Sequence, residues 1–264
     1  MNRLRLDPVR HIAVPASLVA VIAINIIAVT LPLGGRATDE LSALYQNLFT
    51  PAGYTFSIWS LIYFGLIAFT LYQFLPSLAG SVRVQRIDIL FCVTCFLNAA
   101  WLFAWHFQWL GVSLVVMALL LATLGVMYTM LTGRRDRSTA THRLMVVLPI
   151  RVYFAWICVA ALANLAAWFA ARDWVGAGLS ELQWALLMVG ISTVLALLAL
   201  AMKRDIAFAA VIIWALVGVA VGQWGESSPV VMTAIGAATA TLAAIVWLVM
   251  RRPRGGTATP PATA

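Results

Sequence analysis

Eight long apolar stretches constrain this chain more than any other feature. They run at about residues 12–33, 54–75, 88–109, 111–132, 144–170, 181–202, 206–224 and 229–250. A hydrocarbon core of about 30 Å is crossed by about 20 helical residues, each rising about 1.5 Å. Backbone inside lipid must bond to itself, so only helices and closed barrels can span. A barrel needs segments of about ten residues with alternating polarity, and the chain has none. The fold class is therefore all-α, a polytopic transmembrane helical bundle with eight predicted spans. A content of 63% hydrophobic and 10% charged residues suits that class.

The net charge of +8 raises nucleic acid as a partner, but its placement excludes that reading. Arg3, Arg5 and Arg10 precede the first span. Arg83 and Arg86 join the second to the third. Arg134, Arg135, Arg137 and Arg143 join the fourth to the fifth, and Lys203 and Arg204 join the sixth to the seventh. Arg251, Arg252 and Arg254 follow the eighth. The alternate loops hold Arg36 and Arg172 beside Asp39, Glu40, Asp173, Glu181 and Glu226. This is the positive-inside pattern at every loop. It predicts a multi-pass protein of a bacterial-type inner (plasma) membrane with both termini cytoplasmic. The lipid bilayer is the first expected partner, with some attraction to anionic lipid. The first span has a basic lead like a signal peptide, but it runs longer and contains Asn25. The loop charges alternate only if it is retained.

Three predicted regions follow: a five-helix membrane core at 1–173, a three-helix transmembrane extension at 174–252, and a disordered cytoplasmic tail at 253–264. The tail ends in TATPPATA, a composition that cannot pack. Between spans one and two, residues 34–53 carry turn formers but also Tyr45, Leu48 and Phe49, so this loop is expected to fold back on the bundle. The tight turn Gln108-Trp109-Leu110-Gly111 makes spans three and four antiparallel neighbours. Cys92, Cys95 and Cys158 lie in apolar spans with no metal-binding company, and read as packing.

Candidate binding residues come from tryptophan and asparagine at helical spacing. The chain has 11 Trp. Trp184, Trp224 and Trp247 sit near span ends, as a membrane belt does. Asn98, Trp101, Trp105 and Trp109 fall along one stripe of the third span. Trp156, Ala160, Asn164 and Trp168 do so on the fifth, and Phe56, Trp59 and Tyr63 at the start of the second. Stripes at matching depth can enclose a flat hydrophobic small molecule. Asn98 and Asn164 then either orient it or bond neighbouring helices. Trp105, Trp109 and Trp168 suit either the cavity or the outer belt. The predicted ligand-binding set is Trp59, Tyr63, Asn98, Trp101, Trp105, Trp156, Ala160, Asn164 and Trp168, all in spans one to five.

Arg151 is the charged residue furthest inside a span. It is either functional or snorkels to the headgroups. His106 near the outer end either binds a metal centre or faces water, and Asp88 sits at the cytoplasmic border. No acidic residue lies mid-membrane, which weakens ion-coupled transport. No nucleophile–base pair, phosphate loop or HExxH motif is present, so a hydrolase or ATPase is not expected.

Tyr45-x-x-Leu48-x-x-Pro51 followed by Phe56, Trp59 and Tyr63, then Leu97-Asn98-x-x-Trp101, then Pro149 with Trp156-x-x-x-Ala160-x-x-x-Asn164 resemble the motifs of the TspO/MBR family, the tryptophan-rich sensory proteins. The resemblance covers residues 10–172. It implies a five-helix bundle, often a homodimer, with a pocket under the loop between its first two helices. It also implies binding of porphyrins, haem-related tetrapyrroles or sterols, with porphyrin breakdown in some members. Trp59, Trp156 and Asn164 take the positions of the family's pocket residues. Thr50-Pro51-Ala52-Gly53 departs from the family's loop, and the last three spans lie outside its basic fold. No cofactor is obligatory; a porphyrin or haem would be a ligand. The expected function is ligand binding for sensing or transport. A small-molecule permease or exporter, and a scaffold binding a membrane partner through spans six to eight, are the alternatives.

Overall fold

The computed structural model describes residues 9–30, 35, 36, 38–74, 82–132, 139–172 and 178–251. The predicted boundary at 173/174 and the predicted tail at 253–264 lie outside them, as do the side chains of Arg3, Arg5, Arg83, Arg134, Arg135, Arg137, Asp173, Arg252 and Arg254.

The described residues form a helical bundle without strands. A π-helical turn, Val9–Ala13, leads into α1 (Val14–Thr30). The short α2 (Thr38–Leu44) and a 3₁₀ turn (Gly53–Ser57) precede α3 (Ile58–Tyr72). Then come α4 (Val82–His106), α5 (Leu110–Leu131), the one-turn α6 (Ala140–His142), a π turn (Arg143–Val147) and α7 (Leu148–Ala170). The chain closes with α8 (Glu181–Lys203), α9 (Ile206–Gly222) and α10 (Ser228–Met250). Seven of these helices, with their lead-in turns, are long and apolar enough to cross a membrane. The remaining predicted span, α9, has 17 residues, or about 26 Å at about 1.5 Å per residue, the lower limit for crossing.

Local chemistry sets the helix ends. Ser180 and Gln183 form a reciprocal capping box that starts α8. The side chain of Asp205 accepts from the Phe208 N–H at 3.1 Å and starts α9. Between α8 and α9, Arg204 takes a left-handed φ of 52°. Gln108, at φ 58°, turns α4 back into α5, which makes the two helices neighbours as the tight turn predicts.

The helix α7 is the axis of the bundle. It packs against α3, α5 and α9 and touches α8. Other neighbouring helices include α1 with α3 and α4, α4 with α5, and α8, α9 and α10 with one another. One continuous buried core runs through both groups. Outward positions keep large apolar groups, among them Phe64, Phe96, Val115 and Met232, which is the surface a bilayer solvates.

The bundle has a basic end and a loop end. At the basic end Lys203 donates to the Thr132 carbonyl at 3.3 Å. There also, Arg151 Nε lies 3.2 Å from Asp205 Oδ2, and the Tyr128 hydroxyl donates to the same oxygen at 2.9 Å. Arg151 therefore does not simply snorkel: it has an ionic partner, and that partner caps α9. Asp205 is fully buried. Its charge is tolerable because a cation, a hydroxyl and a backbone N–H meet it together.

Candidate functional site

At the loop end, residues 45–57 fold over the bundle as the sequence predicts. Asn47 builds the bend: its side-chain oxygen accepts from the Phe49 N–H at 2.9 Å, and its carbonyl accepts from the Thr50 N–H at 2.9 Å. Phe49 is buried. The Tyr45 hydroxyl donates to Gln108 at 2.8 Å.

Beneath this loop lies a small, partly enclosed cavity of about 40 Å³. Its walls come from α3 (Trp59), α4 (Trp101, Trp105) and α7 (Trp156, Ala160, Asn164), with Phe49, Pro51, Thr55 and Phe56 from the loop. Trp59 is the hub of the rings. It stacks on Tyr63 (5.7 Å between centroids, 22°) and on Trp101 (6.4 Å, 25°), and meets Trp156 edge-on (6.4 Å, 83°). Trp101 stacks in turn on Trp105 at 6.0 Å. Mutual stacking leaves little space between them.

The indole N–H groups are treated unequally. Trp101 donates to Asn164 Oδ1 at 2.9 Å. Trp105 donates to the Thr38 carbonyl at 3.3 Å. The Trp156 N–H is buried at the cavity wall without an acceptor among the described residues, and so is the hydroxyl of fully buried Thr55. An unmet buried polar group costs about 1–3 kcal/mol.

Six of the nine predicted residues line this cavity: Trp59, Trp101, Trp105, Trp156, Ala160 and Asn164. Tyr63 lines a neighbouring groove instead. Asn98 lines neither space. Its amide donates to the Tyr153 hydroxyl at 2.9 Å and accepts from Asn25 (3.2 Å) and Tyr63 (3.4 Å). Asn164 also spends its amide on the protein, since it donates to Ser113 Oγ at 2.9 Å and so joins α4, α5 and α7. Trp168 lies away from the cavity, with the Arg172 guanidinium 4.4 Å above its ring. The reason is geometric. Steps of four residues drift about 40° each on a 3.6-residue helix, so Trp168 has turned about 120° from Trp156. Trp109 is exposed. His106 is buried rather than wet. Its Nδ1 lies 2.8 Å from the Leu102 carbonyl, and the described residues hold no cluster of three metal-ligating groups. Cys92, Cys95 and Cys158 are free thiols.

Sequence reasoning missed α9. Ala215 and Val219 of that helix, like Thr38 and Ser42 of α2, line the cavity. Four bonds tie its side chains and backbone to the loop: Trp214 Nε1 to the Thr55 carbonyl (3.0 Å), Ala52 N to the Gly218 carbonyl (2.9 Å), and Gln223 Nε2 to the carbonyls of Asn47 (3.1 Å) and Thr50 (3.0 Å). The loop backbone presses so closely on α9 that a Cβ at Gly222 would stand 2.6 Å from Ala52 N, and one at Gly218 would overlap Thr55. The signal was there: Gly218-x-x-x-Gly222 is the small-residue spacing that admits close backbone approach in membranes. Here it admits a loop rather than a second helix.

A family model described as TSPO-like protein matches residues 11–247. The matched region runs beyond the motif-bearing residues 10–172 and takes in α8, α9 and most of α10. No curated protein and no solved structure matches the chain.

Proposed function

The chain belongs to the family of TSPO-like proteins, and on that premise we propose that it binds a flat hydrophobic ligand of the tetrapyrrole class in the bilayer, for sensing or transport. A sterol is the second ligand class. The supporting observation is the unmet Trp156 N–H in a ring-walled cavity. Four indoles offer stacking area, while Trp156 and Thr55 offer donors to a carbonyl or carboxylate on the ligand's edge. No residue lining the cavity is His, Cys or Met, so a porphyrin would be held by stacking and edge bonds rather than through a metal axial ligand. The cavity of about 40 Å³ is far below the ~300 Å³ of a typical ligand site. Binding therefore requires the rings or the loop to move.

The charge pattern supports placing the basic end in the cytoplasm and the cavity in the outer half of a bacterial-type plasma membrane. A homodimer is the assembly the family resemblance implies.

Intrinsic fluorescence of the purified protein, titrated with protoporphyrin IX, tests the reading. Saturable quenching is expected, with at least tenfold weaker binding in Trp156→Phe. Absence of saturable quenching, or identical curves for both proteins, would remove the tetrapyrrole reading.

A further inference from the structure

A second space adjoins the cavity. It is a groove of about 350 Å³ where α1, α3 and α4 meet, lined by Ile22, Asn25, Ile26, Ser60 and Tyr63 among others. Thr38, Phe56, Trp59 and Trp101 line both spaces, so a layer made mainly of rings separates them. Ile26 and Ser60 on its rim are exposed at a depth where the surrounding helices present lipid-facing side chains.

Two routes lead to the cavity, and the structure treats them differently. The loop route is strapped shut by α9, through Trp214, Gln223 and the close backbone contacts at Gly218 and Gly222. The groove route is closed by Trp59. No hydrogen bond from its indole N–H holds it among the described residues; ring contacts and packing on the core do, and Trp59 is only half-buried. Of the other shared rings, Trp101 is fixed to Asn164, and Phe56 belongs to the strapped loop and meets Trp156 edge-on at 6.2 Å. The groove also offers recognition. Asn25 donates to the Val21 carbonyl and to Asn98, but its own amide oxygen accepts no hydrogen bond among the described residues.

We infer that this groove is a lateral vestibule: a ligand already dissolved in the bilayer enters between α1 and α3, presents a donor to Asn25 Oδ1, and reaches the cavity when Trp59 rotates. The inference rests on the proposed ligand binding. It deepens that reading by assigning the phase from which the ligand comes and the residue that gates it. An indole rotation breaks ring and packing contacts but no hydrogen bond, whereas lifting the loop breaks four hydrogen bonds.

The protein in lipid vesicles, mixed rapidly with vesicles carrying protoporphyrin IX, gives the association rate from tryptophan quenching. Ser60→Phe fills the groove at an exposed position. It should slow association at least tenfold while leaving the plateau affinity within about threefold. Gln223→Leu loosens the loop and should leave the rate within about twofold. An accelerated Gln223→Leu beside an unchanged Ser60→Phe would make the loop the door and overturn the proposal. A readout without ligand separates this from the function itself. Vesicles of brominated-chain phospholipid should quench a component of the fluorescence that is absent in Trp59→Phe and protected in Ser60→Phe. If the bromolipid quenches no Trp59 component, the groove is not open to the bilayer and the vestibule is wrong, whether or not porphyrin binds.

Discussion

The middle of the bundle and its loop end use the same residue types for opposite purposes. Around Asn98, polar side chains from α1, α3, α4 and α7 bond to one another: Asn25 and Tyr63 donate to Asn98, and Asn98 donates to Tyr153. Around the cavity, Trp156 and Thr55 are as deeply buried as Asn98 and Tyr153 but have no partner among the described residues. Those four buried side chains face a similar desolvation cost. The met cluster fixes how helices pack. The unmet pair marks a place where the fold leaves donors for something else. A third cluster, Arg151–Asp205–Tyr128, resembles the first in being partnered but is charged. It joins the first helices to α9.

If this division holds, damage to the partnered clusters should lower stability, and damage to the cavity should lower binding. The largest loss is expected from Asp205→Ala. It strips the partner from Arg151 and the cap from α9, at about 2–4 kcal/mol, somewhat below the ~3–5 kcal/mol of a fully buried pair. The discount reflects an Arg151 side chain that is 29% exposed. Thermal unfolding in detergent measures it, and a loss under about 1 kcal/mol would mean that the clasp does not hold α9. Gly222→Ala comes next. Its new methyl meets loop backbone that cannot yield cheaply, and overpacking of this kind costs about 1–3 kcal/mol. Faster amide exchange at Ala52 should accompany the loss, and unchanged exchange would show that the loop is not seated on α9.

Asn98→Leu is expected to cost about 1–2 kcal/mol, since three hydrogen bonds are lost at about 0.6 kcal/mol each in membrane interiors. Porphyrin affinity should stay within about threefold, because Asn98 lines neither space. A collapse of binding with stability intact would place Asn98 in the site after all. Trp156→Phe should change stability least, by under about 1 kcal/mol, because the donor it removes makes no hydrogen bond. Trp101→Phe is its control: it leaves Asn164 short of a donor and should cost more. Equal stability losses in the two would erase the distinction between met and unmet indoles.

Much of the site could be read from spacing alone. Trp59, Trp101, Trp105, Trp156, Ala160 and Asn164 recur at helical intervals and do converge on one cavity. What spacing could not give was the depth at which the cavity ends. Asn98 lies only about 20° around α4 from Trp105, which lines the cavity, but about 10 Å further along the helix, and that depth brings it to Tyr153 instead. Ser113, which completes the Asn164 contact, is a small polar residue in a mostly apolar stretch of α5 and gives no periodic signal.

The sequence by itself determined the helical class, the positions of the apolar helices and the alternation of loop charge. Each follows from local rules: backbone in lipid must bond to itself, about 20 apolar residues match the bilayer, and basic residues resist translocation. Only the tertiary structure decided that α9, besides packing on α8 and α10, presses on α7 and straps the loop, that Arg151 finds Asp205, and that Trp156 goes without an acceptor. Those outcomes join residues 54 to 176 positions apart. Such pairs carry no periodicity, because the chain between them sets no angle or distance. They exist only once the helices have packed.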